Sequence, residues 1–307
     1  MKRVISIVVV LTAILSMTAS ALADTATIYS DTSVMVYGPL DEYKPINDVG
    51  WGDPQQAVVT WKHPNWPTLN PAAWISNTYQ IEDNIAGSTW RLFRKTVELC
   101  ENAYDISGTL TVNSDNAEEA YINGTKLGTD GEVQGPTDNG SDWLTFVDYP
   151  FEATEDTLVF DFIVRNYPGS NLPTNNPTGL IFKATINYSC PVEVEIDIKP
   201  NSFPSCFNND GNGIIPVAIL GSETFDVHEV DVSTVTIKGL PVVMKPNGRY
   251  LAAYEDVNSD GYVDLVVKFN DEAGIFDPED EFATLTGKLL DGTHFFGVGD
   301  ICITNRT

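Results

Sequence analysis

The chain has 307 residues, of which 43 are acidic and 17 basic, so its formal net charge at pH 7 is −26. This charge argues against nucleic acid as a partner, because phosphate groups need Lys and Arg side chains to neutralise them. The acidic residues are spread over the whole chain, which is typical of a soluble extracellular protein that tolerates cations.

The first 23 residues predict a cleaved signal peptide. Lys2 and Arg3 precede an apolar run over 4–15, and small residues precede the cleavage point. The run is too short for a stable membrane span, and no later segment of the sequence is long and apolar enough to be one. We therefore expect a mature chain, 24–307, that is secreted or held at the cell surface without a membrane span.

Short alternating runs and turn residues predict an all-β chain after the signal peptide. The first strand is predicted around 33–37. Asn123-Gly124 lies between two strands and predicts a tight hairpin. The segment 158–165 predicts a half-buried strand, because one set of side chains alternates with another. The first set is Leu158, Phe160, Phe162 and Val164, and the second is Val159, Asp161, Ile163 and Arg165.

Three tryptophans, Trp61, Trp66 and Trp74, lie close together in the sequence. Exposed tryptophans can stack on sugar rings, but large aromatic side chains also fill cores, and we interpret this set mainly as core residues. Ligand contacts are expected instead from the long polar loops 128–142 and 167–175. Loop solvation explains their polar residues equally well. The side chains in or beside these loops that could bond sugar hydroxyls or a second Ca²⁺ are Asp130, Asp138, Asn139, Asn166 and Asn171.

The sequence predicts two domains, 24–190 and 191–307. These pieces have 167 and 117 residues, both ordinary sizes for one domain. A run of Gly and Ser that would separate them as a linker is missing between the two pieces.

The C-terminal piece also has a β pattern. Apolar and charged residues alternate over 192–199, which predicts one half-buried strand. Asp291-Gly292 predicts a second hairpin. Pro216 interrupts the apolar run 214–220, which favours an edge strand or a bulge because proline has no N–H to donate.

The segment 256–264 has the spacing of a calcium-binding loop. Oxygen-bearing side chains occupy positions 1, 3, 5 and 9, and Gly occupies position 6, so one tight turn can direct several oxygens at one Ca²⁺. An EF-hand has Glu at position 12, where this chain has Val267, and 265–269 reads as a strand. We predict a structural calcium turn between strands; the alternative is a solvated turn rich in Asp, Asn and Gly. The predicted ligands are Asp256, Asn258, Asp260, the Tyr262 carbonyl and Asp264.

Four cysteines, Cys100, Cys190, Cys206 and Cys302, predict disulfides in an exported chain. The sequence has no C-x-x-C pair, which argues against a zinc cluster. Four cysteines allow three pairings. We favour Cys100–Cys190 with Cys206–Cys302, because each bridge then closes within one predicted domain.

Common enzyme signatures are missing from the sequence, including G-x-S-x-G, H-E-x-x-H, the Walker loop and G-x-G-x-x-G. The three histidines, His63, His228 and His294, are scattered and have no acid or nucleophile at a catalytic spacing. A glycosidase needs two carboxylates at a defined separation, and among 43 acidic residues no pair stands out. We therefore expect that the chain is not an enzyme.

Four segments of the N-terminal piece share a recognisable pattern. They are Trp90–Lys95, Leu110–Asn116, Ala120–Gly124 and Asn176–Ala184. Over 50–189, the chain resembles the galactose-binding-like jelly roll, a module of secreted sugar-binding and adhesive proteins. The resemblance implies a jelly-roll β-sandwich and a carbohydrate or cell-surface partner.

Four segments of the C-terminal piece carry a second resemblance. They are Ile196–Ser202, Ile215–Gly221, Glu255–Leu265 and Ala283–Gly287. Over 192–303, the chain is similar to a calcium-loop β-sandwich of secreted archaeal and bacterial multidomain proteins. The resemblance implies an Ig-like sandwich with a role in display or adhesion.

Together, these features predict a secreted, non-catalytic protein that binds a glycan or a cell-surface polymer. Its fold is expected to be two β-sandwich domains, a jelly roll followed by an Ig-like sandwich, with structural calcium in the second. The first alternative is a structural protein of the envelope or extracellular matrix without a specific small ligand. The second is a polysaccharide-degrading enzyme.

Overall fold

The computed structural model describes residues 23–81, 83, 86–137, 142–169 and 176–304. The described chain is built from β-strands with a few short 3-10 turns, which confirms the predicted all-β class. It divides into two compact units, one ending at Cys190 and one beginning at Pro191. Within the described residues, no helix has the length and apolar character needed to cross a membrane. The predicted signal peptide, 1–23, lies outside the described residues except for its last residue.

The N-terminal unit is a sandwich of two antiparallel sheets. Its strands are β1 (Ala23–Tyr29), β2 (Met35–Leu40), β3 (Gln55–Gln56), β4 (Val58–Val59), β5 (Ile75–Ser76), β6 (Thr89–Glu98), β7 (Tyr104–Asp115), β8 (Ala117–Ile122), β9 (Thr125–Asp130), β10 (Val147–Ala153), β11 (Thr157–Asn166) and β12 (Gly179–Ser189). One sheet has the order β10-β7-β12-β5-β4, with β1 also paired to β12, and the other has the order β3-β2-β6-β11-β8-β9.

Aromatic residues from both sheets form the core of this sandwich. Phe162 on β11 stacks on Phe182 of β12 with ring centroids 4.7 Å apart, and Phe160 meets Phe151 of β10 edge to face at 5.5 Å. Such aromatic contacts add about 0.5–1.5 kcal/mol beyond the buried area.

Strand β11 differs from the half-buried strand predicted for 158–165. Both of its faces are buried. The outer face is covered because Ile163 packs in a second apolar cluster with Trp51 and Trp90. The two faces still differ in polarity, because Asp161 on the outer face pairs with Arg94 at 2.6 Å.

The predicted hairpin at Asn123-Gly124 is confirmed. Strands β8 and β9 pair antiparallel, and the two turn residues have φ of 46° and 79°. Positive φ at both positions suits Asn and Gly. The Asn123 side chain also accepts a hydrogen bond from Val159 N at 2.7 Å, which holds the turn against β11.

The C-terminal unit has two further sheets and a short strand pair. Its strands are β13 (Val192–Glu193), β14 (Ile196–Ile198), β15 (Cys206–Phe207), β16 (Ile214–Ile219), β17 (Val230–Ile237), β18 (Leu240–Pro241), β19 (Ala252–Glu255), β20 (Asp264–Asn270), β21 (Phe282–Leu289), β22 (His294–Asp300) and β23 (Cys302–Ile303). The orders are β13-β22-β21-β17-β18, β14-β16-β20-β19 and β15-β23. One apolar cluster with members on both larger sheets forms the core.

Two details of this unit differ from the sequence-based expectations. The strand predicted over 192–199 is split, because β13 joins one sheet and β14 joins the other. Strand β16, which contains Pro216, is paired on both sides and keeps one register with β20, so the prediction of an edge strand or a bulge is wrong. The proline is tolerated because β14 ends at Ile198, and Lys199 N donates to the Pro216 carbonyl at 2.8 Å where the chain turns away.

Two disulfides close the units. Cys100 bonds to Cys190 and Cys206 to Cys302, with Cα atoms 5.9 and 4.4 Å apart. Both separations lie in the range that disulfides span. The prediction of disulfides is confirmed, and the pairing is the one favoured from the sequence.

Candidate functional site

Two exposed aromatic residues of the N-terminal unit lie on segments that a backbone hydrogen bond joins. Trp61 is 42% exposed and Tyr79 is 63% exposed. They are held together because Trp61 N donates to the Tyr79 carbonyl at 2.8 Å, and the Thr60 hydroxyl donates to the same carbonyl at 3.0 Å. These bonds join the two backbone segments next to the β4–β5 pair.

His63 and Trp143 extend this surface, and we call Trp61, His63, Tyr79 and Trp143 the aromatic face. The His63 ring meets Trp61 edge to face at 6.0 Å and Trp143 at 5.6 Å. Asn65 N donates to His63 Nδ1 at 3.2 Å. In the neutral ring the proton is therefore on Nε2, which can donate a hydrogen bond.

A buried aromatic pair lies behind the aromatic face. Trp66 and Trp74 are both buried, and their rings stack with centroids 4.2 Å apart. Each indole N–H has an acceptor, Asp115 Oδ2 for Trp66 at 2.8 Å and the Pro67 carbonyl for Trp74 at 2.9 Å. The interpretation as core residues is confirmed for these two tryptophans and is wrong for Trp61.

Asp115 is an unusual carboxyl group behind the face. Burial raises its pKa to about 7, against the opposing effect of the hydrogen bond from Trp66. The side chain is buried and does not reach the surface. Its role is therefore to position the Trp66 indole.

The predicted ligand residues do not form one site. Asp130 ends β9 and is partly buried. Asn166 ends β11 and is almost fully buried, where its Nδ2 donates to Asp83 Oδ2 at 2.8 Å. It is thus part of the interior rather than of a surface. Asp138, Asn139 and Asn171 lie outside the described residues.

Asn166 belongs to a buried ion pair that the sequence did not reveal. Arg91 on β6 donates to both oxygens of Asp83, at 2.6 and 2.8 Å, and both side chains are buried. Burial alone would raise the pKa of Asp83, but the hydrogen bonds and charge of Arg91, with help from Asn166 and Thr89, hold it below its usual value. Arg91 lies on the same face of β6 as the core residue Phe93, so the pair fixes the segment before β6 to the core-facing side of the sheet.

The predicted calcium loop is a compact exposed turn in the C-terminal unit. Asp256 accepts from Asp260 N at 3.2 Å and from Gly261 N at 3.1 Å. Asn258 Oδ1 also accepts from Asp260 N, and Asp260 Oδ1 accepts from Tyr262 N at 2.8 Å. These bonds bring the side chains of positions 1, 3 and 5 around one turn.

Asp264, at position 9, has a different environment. It begins β20 and is fully buried, and its two oxygens accept from Gly221 N at 2.9 Å and Val257 N at 2.8 Å. The described residues contain no group of three or more His, Cys, Asp or Glu side chains that could hold a metal ion. A cation here would therefore use amide and carbonyl oxygens beside two carboxylates, which Ca²⁺ accepts.

A scan against protein-family models finds no match, and neither does a search of curated proteins. Among solved structures, the chain is similar to a Bifidobacterium dentium β-glucuronidase complexed with coumarin-3-O-glucuronide, at 13% identity and a TM-score of 0.30 over 93% of this chain and 49% of that one. An FMN-binding β-glucuronidase from Faecalibacterium prausnitzii is 12% identical, with a TM-score of 0.28 over 92% of this chain and 40% of that one. A Ruminococcus gnavus β-glucuronidase is 9% identical, with a TM-score of 0.28 over 90% of this chain and 45% of that one.

The chain thus spans less than half the length of these three structures. The expectations of a non-catalytic binding or envelope protein, and of a chain that is not an enzyme, are corrected by this comparison, because the structures found are enzymes of carbohydrate processing. At TM-scores of 0.28 to 0.30, their substrates and catalytic residues are not transferred to this chain.

Proposed function

We propose that this chain takes part in carbohydrate processing and that its N-terminal unit contacts a sugar ring through the aromatic face. The observation that carries the proposal is the pair of exposed aromatic residues, Trp61 and Tyr79, on segments that a backbone hydrogen bond joins. An aromatic ring offers a flat apolar surface with a polar group at its edge, which suits a ligand with one C–H face and hydroxyls at its rim.

Polar groups at the margin of the face support hydroxyl binding. His63 Nε2 is a donor, and the Lys62 ammonium lies at the same segment, where it donates to Thr68 Oγ1 at 3.2 Å. The buried Trp66–Trp74 stack supports this segment from behind. A face that is rigid before binding loses less conformational entropy when a ligand arrives.

The test compares the full-length protein with its Trp61→Ala and Tyr79→Ala variants. Electrophoresis in gels that contain soluble polysaccharides measures binding, and release of reducing sugar measures processing. We expect each variant to bind about tenfold more weakly, because truncation of a central aromatic contact costs roughly 1–2 kcal/mol.

The matched control is Phe203→Ala, which removes a ring that is 98% exposed in the other unit. It should bind as the parent does. Equal binding by the Trp61→Ala, Tyr79→Ala and parent proteins would contradict the role of the face. A parent protein that releases no sugar from any polysaccharide in the panel would contradict processing.

We further propose that the units are separate domains, 24–190 and 191–307, of the galactose-binding-like jelly-roll and calcium-loop sandwich types. We also propose that the chain is exported after removal of residues 1–23. Two disulfides support export, because such bonds persist in oxidising compartments.

We propose, finally, that the turn at 256–264 holds Ca²⁺. Asp256, Asn258 and Asp260 would supply side-chain oxygens, and Tyr262 its carbonyl. Asp264 would brace the turn instead of binding the ion directly, because both of its oxygens accept backbone N–H groups. The ion would neutralise the carboxylates that this turn brings together.

A further inference from the structure

A second oxygen-rich site lies in the C-terminal unit, where the segment 208–213 meets the end of β20. Asp271, just after β20, is 5% exposed. Its Oδ2 accepts from Asp210 N at 3.2 Å and from Gly211 N at 3.0 Å, while its own N–H donates to the Gly213 carbonyl at 3.0 Å. The carboxylate is therefore directed at the turn 208–213.

Asn209 connects the same two segments in the opposite direction. Its Nδ2 donates to the Phe276 carbonyl, which follows Asp271 in the chain. Asn209 Oδ1 and Asp271 Oδ1 are both buried, and neither has a hydrogen-bond partner among the described residues. Two unsatisfied acceptors thus lie where 208–213 meets 271–276.

A cation is one partner that would satisfy both oxygens. In the described part of the chain, Asp271 takes part in no ion pair with Lys, Arg or His. A buried carboxylate without a compensating charge is strongly unfavourable. The surrounding turn adds further acceptors, because Asn208, Asp210 and Asn212 alternate along it and Gly213 follows.

This alternation repeats the spacing at Asp256–Gly261, with oxygen-bearing residues at positions 1, 3 and 5 and Gly at 6. Carboxylate, amide and carbonyl oxygens suit a hard divalent cation, and the turn offers none of the Cys or His ligands that zinc prefers.

We propose that Asp271 and Asn209 hold a second Ca²⁺ between the turn 208–213 and the end of β20. The ion satisfies both orphan oxygens and neutralises the buried charge. It fixes the turn beside the Cys206–Cys302 disulfide, where the Thr304 hydroxyl also donates to Asn208 Oδ1 at 2.8 Å. The inference is independent of the calcium proposed at 256–264.

The test counts bound calcium by equilibrium dialysis of the full-length protein after treatment with EDTA. The double variant Asp256→Asn/Asp260→Asn disables the other turn, and we expect it to retain one Ca²⁺ per chain. Adding Asp271→Asn, which keeps the shape of the side chain and removes its charge, should abolish that remaining ion. Glu272→Gln, an equal charge change at the exposed neighbouring residue, should leave it bound.

The outcomes separate the two calcium proposals. No calcium on the double variant would overturn the second site without reference to the folding of any Asp271 variant. An unchanged calcium count after Asp271→Asn would overturn it as well. If the parent binds one ion that Asp271→Asn removes and the double variant keeps, the second site stands and the site at 256–264 fails.

Discussion

The two units treat buried carboxylates differently. In the N-terminal unit, Asp83 is buried and paired through two hydrogen bonds with Arg91. In the C-terminal unit, Asp264 and Asp271 are buried to a similar degree, yet among the described residues they contact backbone N–H groups and no basic side chain. Asp83 thus has a counter-charge from its own unit, and Asp264 and Asp271 have none among the described residues; Asp115 of the N-terminal unit also has no basic partner, and burial raises its pKa instead.

This difference indicates where the positive charge opposite each of these carboxylates comes from. A buried carboxylate that stays ionised needs an opposite charge as well as hydrogen bonds. Arg91 gives the N-terminal unit that charge from within the chain. We infer that the C-terminal unit obtains it from cations in solution, so the stability of this unit depends on the ion concentration.

The largest expected effect comes from breaking the buried pair of Asp83 and Arg91. Asp83→Ala leaves Arg91 buried without its counter-charge, and we expect a loss of about 3–5 kcal/mol of unfolding free energy. Denaturant titration of the full-length protein measures it. The control Glu42→Ala removes a carboxylate from the exposed pair with Lys44 and should change little. Equal effects of the two substitutions would refute the importance of burial.

The second prediction uses Asp115, the buried acid that has no arginine. Its native pKa of about 7 lies above the usual value near 4, so between these pH values the folded state holds a proton that the unfolded state has lost. The contribution of Asp115 to stability therefore falls as pH rises through this window, by up to about 1.4 kcal/mol per pH unit.

Chemical denaturation at pH 5 and pH 7 measures this slope. Asp115→Asn does not titrate and should flatten the difference between the two pH values. Asp83 should act in the opposite sense, because its lowered pKa gives stability that is present above about pH 4 and lost in more acidic solution. A parent and an Asp115→Asn variant with the same slope would show that Asp115 titrates normally.

The smallest expected effect is removal of calcium. At a calcium concentration ten times Kd, one site stabilises the folded state by about 1.4 kcal/mol. EDTA should therefore lower the Tm of the C-terminal unit in scanning calorimetry of the full-length protein and leave the N-terminal transition in place. EDTA saturated with excess calcium is the control. Unchanged transitions would remove calcium from both proposed sites.

Local features of the fold could be predicted from the sequence, because neighbouring residues determine them. The turn at Asn123-Gly124 needs only two residues with positive φ. The strand pattern of 158–165 was also recognisable, but its second buried face was not. That face is covered by Trp51 and Trp90, which come from distant parts of the chain.

The sites depend on contacts between distant residues and were harder to predict. Trp61, Trp66 and Trp74 are chemically identical, and only the fold determines that the first is exposed. The segments that carry Asn209 and Asp271 meet across more than 60 positions of sequence, so no local spacing could connect them. A useful signal was available in the turn 208–213, whose alternating Asn and Asp residues resemble the spacing at 256–264.

The two disulfides have a mechanical consequence. Each disulfide closes a long loop, because its two cysteines are 90 residues apart in the N-terminal unit and 96 in the C-terminal unit. If the chain is pulled at its termini, tension passes across the sulfur bridges and bypasses 101–189 and 207–301. Only the segments outside the bridges, chiefly those before Cys100, can then lengthen. Reduction would release the bypassed segments and make the same chain far more extensible.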